Sequence, residues 1–301
     1  MSTPNPGTAK KLMLIMNPVA GRKLARKNLP EIITNFMDGD YLVTTFMTRS
    51  RGEATRFIKD FGSDFDLIVC SGGDGTLNEA VTGLMTSGLD KPLGYIPAGS
   101  TNVFADCHGL PGDVVAAAER VLNGTEHKFD VGTFNEAYFS YIAAFGAFSW
   151  LSYTTPQNKK NLLGHTAYIL DGIRDLPLIK ETHLIFRHDG ETVEGDYIFG
   201  SVCNCDSLAC TFPLPKDIIS YDDGLFETIL IRAPRSVAEL QAIVTALRNQ
   251  DYSCPYIDFF RSGRIFIENV SDLPWTIDGE LAPISTEILI ENKPRALRII
   301  T

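Results

Sequence analysis

Asp74 stands inside Ser71-Gly72-Gly73-Asp74-Gly75-Thr76, a carboxylate bracketed by three glycines. Glycine lets a backbone approach a ligand with no Cβ in the way, and a helix start aims N–H groups and a partial positive charge at it. That combination suits a phosphate. A carboxylate among phosphate-cradling glycines repels the ligand unless a cation stands between them, so Asp74 points to Mg²⁺ handling or to proton transfer. Two further turns carry related chemistry. Asn17-Pro18-Val19-Ala20-Gly21 leads into Arg22, Lys23, Arg26 and Lys27, cations at helical spacing, and Pro97-Ala98-Gly99-Ser100-Thr101-Asn102 is another polar glycine turn. Late in the chain, Asp278-Gly279-Glu280 offers two acids on a turn. Read locally, such a turn is a surface hairpin.

The elements that must position these residues are legible around them. Leu67, Ile68, Val69 and Cys70 form an apolar run of the kind found in a covered strand. Leu77, Ala80, Val81, Leu84 and Met85 recur at the spacing of one buried helix face. The order is strand, glycine turn, helix. Thr76 and Glu79 also spell a capping box, which would account for both residues in a plain turn without a ligand. Leu12 to Met16 makes a strand before the first turn, and Lys91 to Ile96 makes one before the Pro97 turn. Between them lie a strand from Tyr41 to Thr48 and a helix from Gly52 to Phe61 with Ala54, Phe57, Ile58 and Phe61 inward. A helix from Val114 to Leu122 closes this half. Polar turns that each follow a strand lie where ligands bind in an open α/β sheet.

From about Lys128 the texture changes to short β-type runs separated by Gly, Asp, Asn and Pro, with Asn135-Glu136 as a hairpin turn. Helices are expected near Gly164 to Asp175 and Val237 to Arg248, and a last strand from Ala296 to Ile300. The expected fold is an α/β domain over residues 1–128 and a β-rich domain over 129–291, with a strand near 292–301 returning to the first.

Composition narrows the class. The chain has 301 residues, 44% hydrophobic and 21% charged, long enough for two domains. Its net charge of −10 argues against a nucleic-acid partner. Lys10, Lys11, Arg22, Lys23, Arg26 and Lys27 nevertheless make residues 1–30 wholly basic, whereas residues 189–227 are strongly acidic. No apolar run reaches membrane-spanning length, and KKLMLIM is too short for a signal-peptide core, so a cytoplasmic protein is expected. Cys70, Cys107, Cys203, Cys205, Cys210 and Cys254 complete no zinc pattern and read as reduced thiols.

Taken together, NPVAGRK at 17–23, SGGDGTLNEA at 71–80, PAGSTNVFA at 97–105 and DGE at 278–280 resemble the diacylglycerol-kinase-type lipid kinases. The likeness is to the small soluble bacterial branch related to sphingosine and ceramide kinases, and Asn204 and ISYDDGLFE at 219–227 add to it. It implies a phosphofructokinase- or NAD-kinase-like α/β domain, a C-terminal β-sandwich, and transfer of the ATP γ-phosphate to a lipid hydroxyl. By the same resemblance Asn17, Arg22, Lys23, Thr48, Gly72, Gly73, Asp74, Gly75, Thr76, Leu77, Asn78, Glu79, Gly99, Ser100, Thr101 and Asn102 would serve the nucleotide. Asp74 and Glu280 would be catalytic, with Glu280 as general base. Asp223, with the carbonyls of Ser220 and Leu225, would hold a structural Mg²⁺. The implied partners are ATP, Mg²⁺, a lipid alcohol and a membrane surface touched peripherally and reversibly, with Trp150 to Tyr168 as a candidate rim and a homodimer left open. One turn departs from the family: it commonly reads G-T-x-N-D, and here Ser100 and Val103 stand at the threonine and acid positions. A kinase for a soluble acceptor such as NAD, and a weakly active lipid-binding regulatory homologue, are the competing readings.

Overall fold

The computed structural model describes residues 9–21, 23–146, 181–205, 207–208, 212–214, 219–270 and 273–301. The rim expected at Trp150 to Tyr168, the helix expected at Gly164 to Asp175, Arg22 and Cys210 lie outside the described residues. The chain forms two compact units. The first runs to Val131 and adds Tyr138–Ser140 and Lys293–Thr301; the second takes Gly132–Ala137 and Tyr141–Asn292.

The first unit is built from β1 (Lys10–Met16), α1 (Leu24–Lys27), α2 (Leu29–Asp38), β2 (Tyr41–Met47), α3 (Glu53–Phe61), β3 (Leu67–Gly72), α4 (Asp74–Ser87), β4 (Leu93–Pro97), α5 (Val103–Cys107) and α6 (Val114–Asn123). Its strands pair in parallel in the order β2-β1-β3-β4. Both faces are covered, which is why β3 is buried throughout and reads as a continuous apolar run. Leu12, Leu14, Met16, Leu67 and Val69 pack with Ile32 and Phe36 of α2 and Val114, Ala117, Ala118 and Val121 of α6. Each of the Leu, Ile, Val, Met and Phe side chains stabilises the unit by roughly 1.5–3 kcal/mol on burial. On α3, Ala54 and Ile58 are inward as expected, but Phe61 is 43% exposed. α3 and α4 approach closely because Gly83 faces Ile58: a Cβ there would lie 2.9 Å from the Ile58 Cβ.

The second unit continues with β5 (Glu126–Phe134), which begins in the first, then β6 (Ala137–Phe139), also assigned mostly to the first, and β7 (Ile142–Gly146). β8 (Thr182–His188), β9 (Glu191–Cys203), β10 (Ser207–Leu208), β11 (Phe212–Pro213), β12 (Phe226–Arg232), α7 (Val237–Asn249), β13 (Ile257–Ser262), β14 (Arg264–Glu268), β15 (Trp275–Ile277), β16 (Glu280–Leu281) and β17 (Ile288–Ile300) complete the chain. Pairing within this unit is antiparallel. β9 pairs β8 through Glu191–Tyr197 and then β7 and β12 through its second half. The turns Asp189-Gly190 and Asp278-Gly279 both take positive φ at their two central residues, as a tight hairpin requires.

The separate strands expected at the C-terminus are one strand of thirteen residues. Its first half pairs β14, and Ile299 and Ile300 pair Leu93 and Gly94 of β4 in parallel. In the first unit Arg298 pins it with a two-pronged bond to Glu126 at 2.6 and 2.8 Å.

Candidate active site

The strand order places a topological switch at β1 and β3: the chain leaves β1 to one side for β2 and returns on the other for β3. Ligands bind beyond the carboxyl ends of strands at such a point, because the following loops diverge and leave a crevice. The Asn17 and Gly72 turns occupy those two ends, and the Pro97 turn follows the neighbouring β4.

The three turns meet backbone to backbone. Ala98 N–H donates to the Gly72 carbonyl at 2.7 Å, and Asn17 N–H donates to the Ser71 carbonyl at 2.8 Å. A Cβ on Gly99 would lie 2.5 Å from the Gly73 Cα, and one on Gly21 would press into the carbonyls of Ala98 and Gly99. Side chains are excluded by contact here, so these glycines are needed for the turns to converge. Asn102, at φ 56°, closes its own turn by accepting from Gly99 N–H at 2.8 Å and donating to the Gly99 carbonyl at 3.2 Å. The Tyr95 hydroxyl bonds the Gly72 carbonyl at 3.3 Å and Asn102 Oδ1 at 3.4 Å, tying two turns from beneath. Burial pushes that phenol well above its ordinary pKa, so it stays protonated and donating. Tyr95 was not foreseen; a tyrosine two residues before Pro97 in an apolar strand was the available signal.

The expected nucleotide residues separate into groups. Asn17 reaches Thr76 Oγ1 at 3.5 Å, while its Oδ1 accepts from Val19 N–H. Thr48 is buried at the end of β2 against the Met16 carbonyl, next to the first turn. Gly73, Gly75, Gly99, Ser100, Thr101 and Lys23 remain at least partly exposed, Gly72 and Thr76 are buried, and Asn78 donates to the Tyr138 carbonyl at 2.9 Å. Leu77 is different: its side chain is fully buried and its N–H donates to the Gly73 carbonyl, so it supports the helix start from within the core.

Glu79 also departs from expectation. α4 begins at Asp74 with Gly73 as its N-cap, so Thr76 and Glu79 lie inside the helix and make no capping box. The Glu79 carboxylate instead accepts from Gly52 N–H at 2.8 Å and Ala54 N–H at 3.1 Å, capping the neighbouring α3. Asp74 has a structural role beyond the one its type suggested. Its two oxygens accept from Val103 N–H at 3.0 Å and Phe104 N–H at 3.2 Å, the opening of α5. It thereby couples the glycine turn to the turn that carries Ser100 and Asn102.

In the second unit the two acids of the Asp278 turn have unlike surroundings. Asp278 is 2% exposed and accepts from Tyr141 N–H at 3.0 Å and Ile142 N–H at 3.2 Å, so it clamps the hairpin to β7. Glu280 is half-buried at the start of β16. Of the two, Glu280 is the more exposed.

Of the metal set expected at Ser220, Asp223 and Leu225, the Asp223 carboxylate has protein partners. One Asp223 oxygen accepts from Leu225 N–H at 3.0 Å, and the other pairs with the Arg261 guanidinium. Arg261 also donates to the fully buried Glu227 at 3.0 Å. Its guanidinium already neutralises the acidic loop, and a divalent cation on Asp223 would have to displace it. Arg261 thus competes with the expected Mg²⁺ for the Asp223 carboxylate. Arg261→Gln should lower Tm, since removing one partner of a buried pair costs about 3 kcal/mol. Mg²⁺ or EDTA should leave the parental melting curve in place. A parental Tm that rises with Mg²⁺ and loses that rise in Asp223→Asn would restore the metal.

Comparison with known proteins follows these features. Residues 11–134 match the model of the diacylglycerol kinase catalytic domain. The diacylglycerol kinase of Bacillus subtilis (strain 168) is 32% identical over 273 residues, covering 90% of each chain. That of Staphylococcus aureus (strain Newman) is 31% identical, covering 90% of this chain and 86% of the relative. A solved Bacillus anthracis (strain Sterne) structure assigned to the diacylglycerol kinases superposes with a TM-score of 0.79 at 26% identity, over 97% of this chain and 95% of the other. A second structure from that organism gives 0.75 at 22%, a likeness of fold, over 97% of each chain. With the three converging glycine turns, this identity across nine-tenths of both chains places the protein in the diacylglycerol kinase family.

Proposed function

We propose that this chain transfers the γ-phosphate of ATP to the hydroxyl of diacylglycerol or a closely related lipid alcohol. The observation that carries the reading is the convergence of the Asn17, Gly72 and Pro97 turns at the switch point of a parallel sheet, where glycines alone permit the approach. Phosphoryl transfer asks a protein for positioning and charge neutralisation more than for covalent chemistry. In this reading Gly72 to Thr76, Asn78 and Gly99 to Asn102 cradle the phosphates through backbone N–H groups and hydroxyls, with Asn17, Thr48 and Lys23 beside them. Mg²⁺ accompanying ATP supplies neutralisation of the phosphate charge. Asp74 orients that complex while holding the start of α5, and Leu77 and Glu79 keep the two helices in place from behind. Glu280 receives the proton of the lipid hydroxyl as the new bond forms.

Among the described residues no helix is long and apolar enough to cross a membrane. In this reading the lipid is reached by peripheral, reversible contact. Incubating the protein with γ-labelled ATP, Mg²⁺ and either detergent-dispersed lipids or soluble alcohols tests the assignment. Label is expected in the phosphorylated lipid extracted from the mixture, phosphatidic acid when the acceptor is diacylglycerol. Label confined to a soluble acceptor such as NAD would overturn it.

A further inference from the structure

The hairpin that carries Glu280 continues into Leu281-Ala282-Pro283-Ile284, a segment without charge. Leu281 is 71% exposed and Ile284 93%, the two most exposed large aliphatic side chains among the described residues. Such exposure at a frayed tip would mean little. This tip is held firmly.

Beneath it Trp275 is 3% exposed, its ring centroid 5.5 Å from that of Phe134 and 4.7 Å from that of Phe145. Asp278 clamps the turn to β7 through Tyr141 and Ile142, and Ala282 N–H donates to the Trp275 carbonyl at 2.9 Å. At the far end Asn135 grips the returning chain twice, donating to the Glu287 carbonyl at 3.2 Å and accepting from Leu289 N–H at 2.8 Å. Hydrogen bonds on both sides therefore anchor the segment that carries these two exposed aliphatic side chains, where water gives them no stabilisation.

We propose that Leu281, Pro283 and Ile284 form a wedge that enters a lipid surface beside Glu280. The inference rests on the lipid-kinase reading, and the occupant follows from the acceptor's chemistry. Diacylglycerol has no headgroup beyond its hydroxyl, which lies at the level of the ester groups, at the edge of the hydrocarbon. A carboxylate that reaches it brings its chain neighbours to the same depth, and one to four residues beyond Glu280 those neighbours are aliphatic. Proline adds order and removes an N–H that would need a partner away from water. The wedge contributes apolar area and no charge, so the contact it makes should persist as salt is raised.

The test uses the full chain and the double variant Leu281→Ser/Ile284→Ser, which alters exposed positions only. Sedimentation with phosphatidylcholine vesicles containing long-chain diacylglycerol measures binding, at low and high salt. Rates are measured on that lipid and on dihexanoylglycerol as a monomer in water. The double variant should bind vesicles about tenfold more weakly or worse, the scale expected for withdrawing two aliphatic side chains from lipid. Its rate on vesicle lipid should fall in step, and its rate on the soluble substrate should stay parental. Vesicle binding equal to the parent overturns the wedge. So does a parental dimer that the variant dissolves without loss of vesicle binding, which would make this face a contact between copies. If the parent phosphorylates neither lipid, the kinase reading fails, while vesicle binding still decides the wedge.

Discussion

Glu280→Gln is expected to lower the single-turnover rate of lipid phosphorylation about 10²–10⁴-fold, the usual worth of a positioned general base. Glutamine keeps the shape of the side chain and removes its basicity, so a loss confined to the chemical step separates proton transfer from positioning. ATP affinity should remain nearly parental, because the turns proposed to cradle the phosphates belong to the other unit. The fold should also survive. The hairpin is held by Asp278, whose carboxylate bonds Tyr141 and Ile142, and by Ala282 N–H on the Trp275 carbonyl, none of which needs the Glu280 charge. Single-turnover rates with an ATP-binding isotherm and a melting curve for the same variant make the comparison. A parental rate would remove Glu280 from the mechanism.

Asp74→Asn should reduce turnover by about 10²-fold or more, the scale of losing one preorganised charge at a phosphoryl-transfer site. Here the structure changes what else must be measured. An isolated carboxylate could be neutralised without structural effect, but Asp74 accepts from both Val103 N–H and Phe104 N–H. Asparagine has one carbonyl oxygen, and its amide would confront a backbone donor. Leaving that donor unpaired costs roughly 1–3 kcal/mol. Tm should therefore fall by several degrees along with the loss of activity. Tm, ATP affinity and turnover, measured together, distinguish two roles. If Tm drops and turnover stays near parental, Asp74 is a positioning residue for α5 and has no part in handling the metal of the nucleotide.

Much of the architecture was written locally. Periodic burial marked α4 and α6, the apolar run of β3 marked a strand covered on both faces, and the change of texture near Lys128 marked a new kind of unit. The glycines of the phosphate turns were legible for the same reason. A backbone that must pass within van der Waals contact of another leaves only one residue type possible, and Gly73 and Gly99 show that constraint directly. The strand–turn–helix order and the glycine turns were therefore determined by residue types and spacings alone.

The acids were a different matter. Asp74, Glu79, Asp223 and Asp278 all read as chemistry or as local capping, and each is committed to partners that spacing did not reveal. Glu79 caps a helix 25 residues upstream, and Asp278 clamps a strand that precedes it by more than 130 residues. Three of the four accept mainly from backbone N–H groups, a donor that every residue except proline carries, so the partner leaves no trace in the sequence. Asp223 was the exception in kind: its partner is the Arg261 side chain, brought alongside because β12 and β13 pair with Glu227 opposite Arg261. Only tertiary structure could decide which carboxylates were spent on holding the chain together. The reason is that long-range pairing is set by strand register and helix packing, while residue type reports only what a side chain is able to do.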